Sequence, residues 1–277
     1  MSTDPRSPAT DQRRLTGKAL AVVDVPPRPA KPRKTGLTIV ADRGMGRNAQ
    51  SDLLEVAADY IDVAKFAMGV PRLLDETLVK AKIDMYRAKD IPVFFAGEIS
   101  ELSVVRGQAV DYFRAVRDLG GWAVEVSNAQ VAMDASAKCR LIELARAEGL
   151  EVVAECGRKG GVAWADSSSM VAAEIDACLK AGAWRVLVQA EGLNEDVPEP
   201  NQRLISDLLA RFGMDRLIFQ AKEPELFSWF LIRFGSGISL DVDAEDVLDL
   251  ELRRRGLRKR GVFGMMAGDF GEDGANG

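Results

Sequence analysis

The chain has no histidine among its 277 residues. That absence removes Ser-His-Asp and Cys-His nucleophile chemistry, histidine metal ligation and imidazole acid–base catalysis together. Any reaction must be carried by carboxylates, lysine, arginine, tyrosine, cysteine or a bound ion. Cysteine is also scarce: Cys139, Cys156 and Cys178 form an odd set without CxxC spacing, which argues against a disulfide framework or a zinc site. No apolar run approaches the roughly 20 residues that span a bilayer. The N-terminal MSTDPRSPATDQRR lacks the apolar core of a secretory signal, so the sequence reads as cytoplasmic, with no membrane role. An excess of basic charge is missing too. A formal net charge of -5 and a pI near 5.1 argue against a nucleic-acid partner. Self-association into a homo-oligomer stays open.

What is present is 47% hydrophobic content, enough for one large core. Residues 1–34, with PPRPAKPRK near their end, read as a flexible, solvated arm in which only ALAVVDV could pair as a short strand. Residues 261–277, GVFGMMAGDFGEDGANG, read as a flexible Gly-rich tail. Between them, residues 35–260 alternate apolar runs with amphipathic segments at the spacing of a strand–helix unit. The runs are LTIVAD, YIDVAKF, PVFFAG, WAVEVS, EVVAEC, RVLVQA, RLIFQA and GISLDV. Segments such as LLDETLVKAKIDMYRAK and SAKCRLIELARAEG repeat apolar residues at helical spacing. The expected fold is a single-domain (β/α)8 TIM barrel. An open doubly wound sheet is the alternative, but ADRGMGRNA offers only GxG where a GxGxxG turn would be usual.

Active sites of such barrels lie at the C-terminal strand ends. Read together, those ends carry Asp42 and Arg43, Lys65, Glu98, Glu125 with Ser127 and Asn128, Glu155 with Cys156, Arg158 and Lys159, Gln189 with Glu191, Gln220 with Lys222, and Ser239 with Asp241 and Asp243. Carboxylates beside lysine and arginine suit a hard divalent ion and an anionic substrate, although Lys–Glu pairs also cap barrel layers structurally. The glycines of CGRKGG could turn backbone N–H groups toward a phosphate next to Arg158, Lys159 and Gly160, or could simply form a solvated loop. Cys156 reads as a small buried thiol.

These residues, in the order KPRKTGLTIVADRG, DYIDVAKFAMG, AVEVS, EVVAECGRK, LIFQA and LRRRGLR, resemble the phosphosulfolactate synthase family over nearly the whole barrel. The resemblance implies a magnesium-dependent lyase that adds sulfite to phosphoenolpyruvate, and the family also has a non-catalytic branch associated with heat stress. It further implies Asp42, Glu125 and Glu155 as metal ligands, and Lys159, Lys65 and Arg43 as catalytic residues. Arg158, Ser127, Gly160, Arg255, Arg258, Gln189 and Gln220 would contact substrate. Arg43 and Arg158 stand where the family usually has lysine; Gln189, Gln220 and Asn128 stand where it has carboxylates, and Glu191 where it has arginine. Each amide removes a negative charge and keeps the shape, so magnesium should be held less tightly. Adjacent strand residues point to opposite faces, and the resemblance favours Asp42 as the one facing inward, with Arg43 reaching over the rim to an anion.

Overall fold

The computed structural model describes residues 17–157, 168–190 and 200–258. Eight parallel strands close into a barrel in chain order. They are β1 Thr38–Asp42, β2 Val63–Phe66, β3 Val93–Phe95, β4 Ala123–Val126, β5 Glu151–Cys156, β6 Arg185–Val188, β7 Leu217–Gln220 and β8 Leu240–Asp243. The register from Thr38↔Leu240 to Ala41↔Asp243 joins the last strand to the first, which makes the architecture a (β/α)8 barrel and excludes the open sheet.

The helices around it are α1 Arg47–Ala57, α2 Glu76–Arg87, α3 Gly97–Val105, α4 Ala109–Leu119, α5 Ala135–Ala147, α6 Ser168–Lys180, α7 Gln202–Phe212, α8 Pro224–Phe234 and α9 Val247–Arg254. Polar side chains start two of them: Asp134 accepts from Ala137 N before α5, and Asn201 from Leu204 N before α7. The step from β3 to β4 holds two helices rather than one, so Glu98 lies in the first turn of α3. Among the described residues no helix is long and apolar enough to cross a membrane.

The strands are buried on both sides, and their alternation sorts them into two cores. Ile39, Val63, Phe94, Ala123, Val153, Leu187 and Ile218 fill the barrel. Val40, Phe66, Phe95, Val124 and Phe219 belong to the larger cluster against the helices. Two residues beyond the inner layer, the same inward direction delivers Lys65, Glu125, Glu155, Gln189 and Gln220 to the C-terminal mouth.

The opposite end is closed by arginine. Arg254, fully buried, donates to the carbonyls of Gly36, Leu37 and Ile238 and to Thr38 Oγ1, tying α9 to the start of β1 and to the residue before Ser239. The arm read as solvated packs against this end in its later part. Arg33 pairs with Asp62 at 2.9 Å and Arg28 pairs with Glu251, with all four side chains nearly buried. ALAVVDV forms a turn rather than a strand, and Leu20, Val22 and Val23 stay exposed.

Candidate active site

Lys65 stands at the floor of the mouth. Its ammonium lies 2.9 Å from Glu125 Oε2 and 3.4 Å from Asp241 Oδ2, so β2, β4 and β8 are linked across the barrel by one cation. All three side chains are buried. Burial by itself pushes the Lys65 pKa down, but Glu125, Asp241 and Glu155 together outweigh it and raise it. Lys65 is therefore a fixed positive charge and a poor proton donor near neutral pH. Asp241 Oδ1 and Gln189 Oε1 are buried without a hydrogen bond, and Glu125 Oε2 meets Lys65 as a charge contact rather than an aligned hydrogen bond. An unmet buried acceptor costs about 1–3 kcal/mol, so these oxygens are held at the floor at a cost to stability.

The other oxygen of Glu125 accepts from Gly97 N at 2.9 Å. Only glycine permits that approach, because a Cβ at position 97 would clash with Ser127 Oγ and stand 2.9 Å from Glu125 Oε1. The first turn of α3 thereby orients a carboxylate of the floor.

The rim is built differently. Asp243 accepts from Arg43 Nε at 2.9 Å and from Arg43 Nη2 at 3.2 Å, while Lys222 Nζ stands 4.0 Å from Asp243 Oδ1. Arg43 follows β1, Lys222 follows β7, and Asp243 ends β8 between them. Arg43 is about half exposed, so a cation faces solvent at the edge of the mouth.

A barrel whose mouth combines a buried lysine, carboxylates and rim cations can now be set beside known proteins. Residues 26–260 match the family model described as (2R)-phospho-3-sulfolactate synthase (ComA). The chain belongs to the phosphosulfolactate synthase family. It is 36% identical over 245 residues to a phosphosulfolactate synthase of Methanothermobacter thermautotrophicus, covering 84% of this chain and 93% of that one. It is 25% identical over 261 residues to Protein HEAT-STRESS-ASSOCIATED 32 of Arabidopsis thaliana, covering 84% and 90%. The solved 3-hexulose-6-phosphate synthase of Salmonella typhimurium has a TM-score of 0.51 at 12% identity, with 79% of this chain and 99% of that chain covered, and shares the fold.

Within this phosphosulfolactate synthase-family barrel the expected residues separate. Lys65, Glu125, Glu155, Gln189 and Gln220 converge at the mouth, with Arg43 above them. Arg158, Lys159 and Gly160, with Glu191, lie outside the described residues. Asp42 does not face inward. It shares the outward direction of Val40, where Lys82 Nζ lies 2.8 Å from its Oδ2 and Tyr86 OH donates at 3.1 Å. Gly44 N and Met45 N donate to its Oδ1 at 2.9 and 3.1 Å, a turn opened by the positive φ of Gly44, +96°. Asp42 is thus a satisfied anchor between β1 and α2. Ser127 is buried and donates to Glu101, whose carboxylate also accepts from Ala129 N, Gln130 N and Val131 N. Its hydroxyl holds the loop after β4 rather than a substrate. Arg255 lies at the closed end, donating to Glu251 and to Pro26 O, and Arg258 pairs with Asp249 of α9 at 2.7 Å on the outer ring. Neither is among the mouth residues.

The donors expected for magnesium do not fit it. Asp42 points away, and the Lys65 ammonium occupies the space between Glu125 and Asp241 that a shared cation would need. Among the described residues no three Asp, Glu or Cys side chains converge as a metal site. Cys156 and Cys178 are free thiols with sulfurs 3.9 Å apart between β5 and α6, outside the mouth. Asp241, Asp243 and Lys222, noted in the sequence only as strand-end residues, are central to the observed geometry. Parity would have found Asp241, since it pairs in register with Gln220. Glu101 and Lys82 sit on helix faces where the sequence gives no sign of a buried charge.

Proposed function

We propose that this protein is a phosphosulfolactate synthase-like lyase that adds sulfite, or another nucleophile, to phosphoenolpyruvate or a related enol phosphate at the barrel mouth. The observation that supports it is the disposition of charge: a buried Lys65 held cationic at the floor, with Arg43 and Lys222 at the rim. The sulfur lone pair of sulfite forms the new bond to the methylene carbon of phosphoenolpyruvate. The double-bond electrons move onto the carbon bearing the phosphate and spread into the carboxylate as an aci-anion. Lys65, Arg43 and Arg158 stabilise that charge as pre-set cations. A proton from Lys159 then completes the carbon next to the carboxylate; Lys65 is unsuited to that step because its surroundings hold its proton. Magnesium enters no step here.

A second reading is a non-catalytic barrel of the same family acting as a binding or stress-related protein. Gln189 and Gln220, amides at the ends of two strands, favour it. One experiment separates the two. Incubation with phosphoenolpyruvate and sulfite, followed by 31P and 13C NMR, should give a product with a new carbon–sulfur bond. Lys65→Met should abolish it. Unchanged phosphoenolpyruvate with retained binding would favour the second reading, and absence of binding would sink the enol-phosphate assignment.

A further inference from the structure

The cations at the rim are not empty-handed: a carboxylate of the chain itself occupies them. Asp243 presents both oxygens to the Arg43 fork, at 2.9 and 3.2 Å, in the arrangement by which a guanidinium holds two oxygens of a phosphate or carboxylate ligand. Lys222 approaches the same Oδ1 from the neighbouring strand end at 4.0 Å, too far for a hydrogen bond and close enough to share its charge. Arg43 and Lys222 thus bring two cations to one carboxylate, while Glu245 and Asp246 on the turn after β8 add negative charge beside it. Arg43 is about half exposed and Asp243 only partly buried, so the contact is of the weak, salt-screened kind that an incoming anion can replace.

We propose that Asp243 is an internal stand-in for an oxyanion of the ligand, and that Arg43 and Lys222 form the seat it vacates for a dianionic group such as a phosphate. The inference rests on the reading of the mouth as the ligand site. Asp243 acts as a positioning residue: it holds two cations from strands on either side of β8 aimed at one point. It also sets specificity. A ligand must compete with a carboxylate tethered beside the seat at high effective concentration, so a monoanion gains little by exchange. A dianion interacts more strongly with both cations and displaces it. Lys222, from the strand end opposite Arg43, supplies the second charge that makes the exchange favourable.

Calorimetric titration with inorganic phosphate and with acetate, at fixed ionic strength, tests this in the full chain and in Asp243→Asn, Asp243→Glu and Lys222→Gln. Thermal melts confirm folding of each. Asparagine keeps an acceptor for Arg43 and removes the competing charge. Asp243→Asn should therefore bind phosphate about tenfold more tightly and bind acetate measurably, narrowing the discrimination. Asp243→Glu should restore that discrimination, and Lys222→Gln should weaken phosphate about tenfold. Phosphate affinities of Asp243→Asn and Lys222→Gln within twofold of the parent, or no phosphate binding by any of these proteins, would overturn the proposal. If phosphate follows the expected pattern while phosphoenolpyruvate neither binds nor reacts, the seat stands and the enol-phosphate reading falls. If phosphoenolpyruvate binds and phosphate ignores both substitutions, the seat alone falls.

Discussion

Replacing Asp42 by asparagine separates a structural from a catalytic role for the most conspicuous charge at the end of β1. Asp42 and Lys82 are each about 1% exposed, and their contact is 2.8 Å. Asparagine keeps one oxygen, which can still accept from Gly44 N and Met45 N. The other position becomes an NH2 facing the Lys82 ammonium, so donor meets donor there and the lysine is left buried without a counter-charge, while the Tyr86 hydroxyl must turn to accept instead of donate. Removing one partner of such a pair costs about 3–5 kcal/mol, a large part of the roughly 5–15 kcal/mol that holds a typical domain. At about 2–4 °C per kcal/mol for a chain of this size, the melting temperature should fall by roughly 6–20 °C. Circular dichroism melts measure that shift. The double variant Asp42→Asn, Lys82→Met should recover part of it, because the stranded ammonium is gone. Because Asp42 lies on the helix side of β1, the affinity of the folded variant for phosphoenolpyruvate should stay within about twofold, under roughly 0.5 kcal/mol. A variant that melts within about 2 °C of the parent and yet loses ligand binding or turnover would place Asp42 in the mouth and refute the reasoning.

Magnesium should bind the parent weakly, and Gln189→Glu with Gln220→Glu should tighten it by returning carboxylates to the strand ends; calorimetry on both proteins checks this, and tight binding by the parent would contradict the geometry. Tyr86 and Tyr112 both have raised pKa values, in each case first by burial, then by Asp42 for Tyr86 and by Glu125 and Glu98 for Tyr112. The folded state keeps protons that the unfolded state releases above the ordinary tyrosine value of 10.0, so stability is intact below that pH and falls above it. In an ultraviolet titration, the phenolate signal of these two tyrosines should appear only together with loss of far-ultraviolet dichroism; its appearance in the intact fold would be contrary to the burial described.

The barrel was legible because eight apolar runs and their helical partners recur in register along the chain, and each run became a strand. The direction of each side chain was less legible. LTIVAD is buried on both faces, all of β1 from Thr38 to Asp42, so no alternation of polar and apolar residues shows which parity faces the axis. Asp42 could be assigned only once Ile39 was seen in the inner core and Val40 in the outer one. Arg255 was misleading for another reason: helix α9 runs away from the mouth, and its eight residues carry the chain about 12 Å along the axis to the closed end. Lys65 and Glu125 were found because their place at strand ends and the family resemblance named the same residues. Lys82 and Glu101 were not, because a charge on an amphipathic helix reads as solvated until its partner strand is known.

The seam between β1 and β8 makes the completion of this molecule late. Strand starts about 200 residues apart must meet, and the guanidinium that staples them belongs to α9, the last helix among the described residues. During synthesis the chain therefore emerges as a growing open sheet whose first strand keeps an unpaired edge, the kind of surface that recruits other chains. Release of that hazard waits for Arg254 to leave the ribosome, so protection from aggregation comes long after the first strand has emerged.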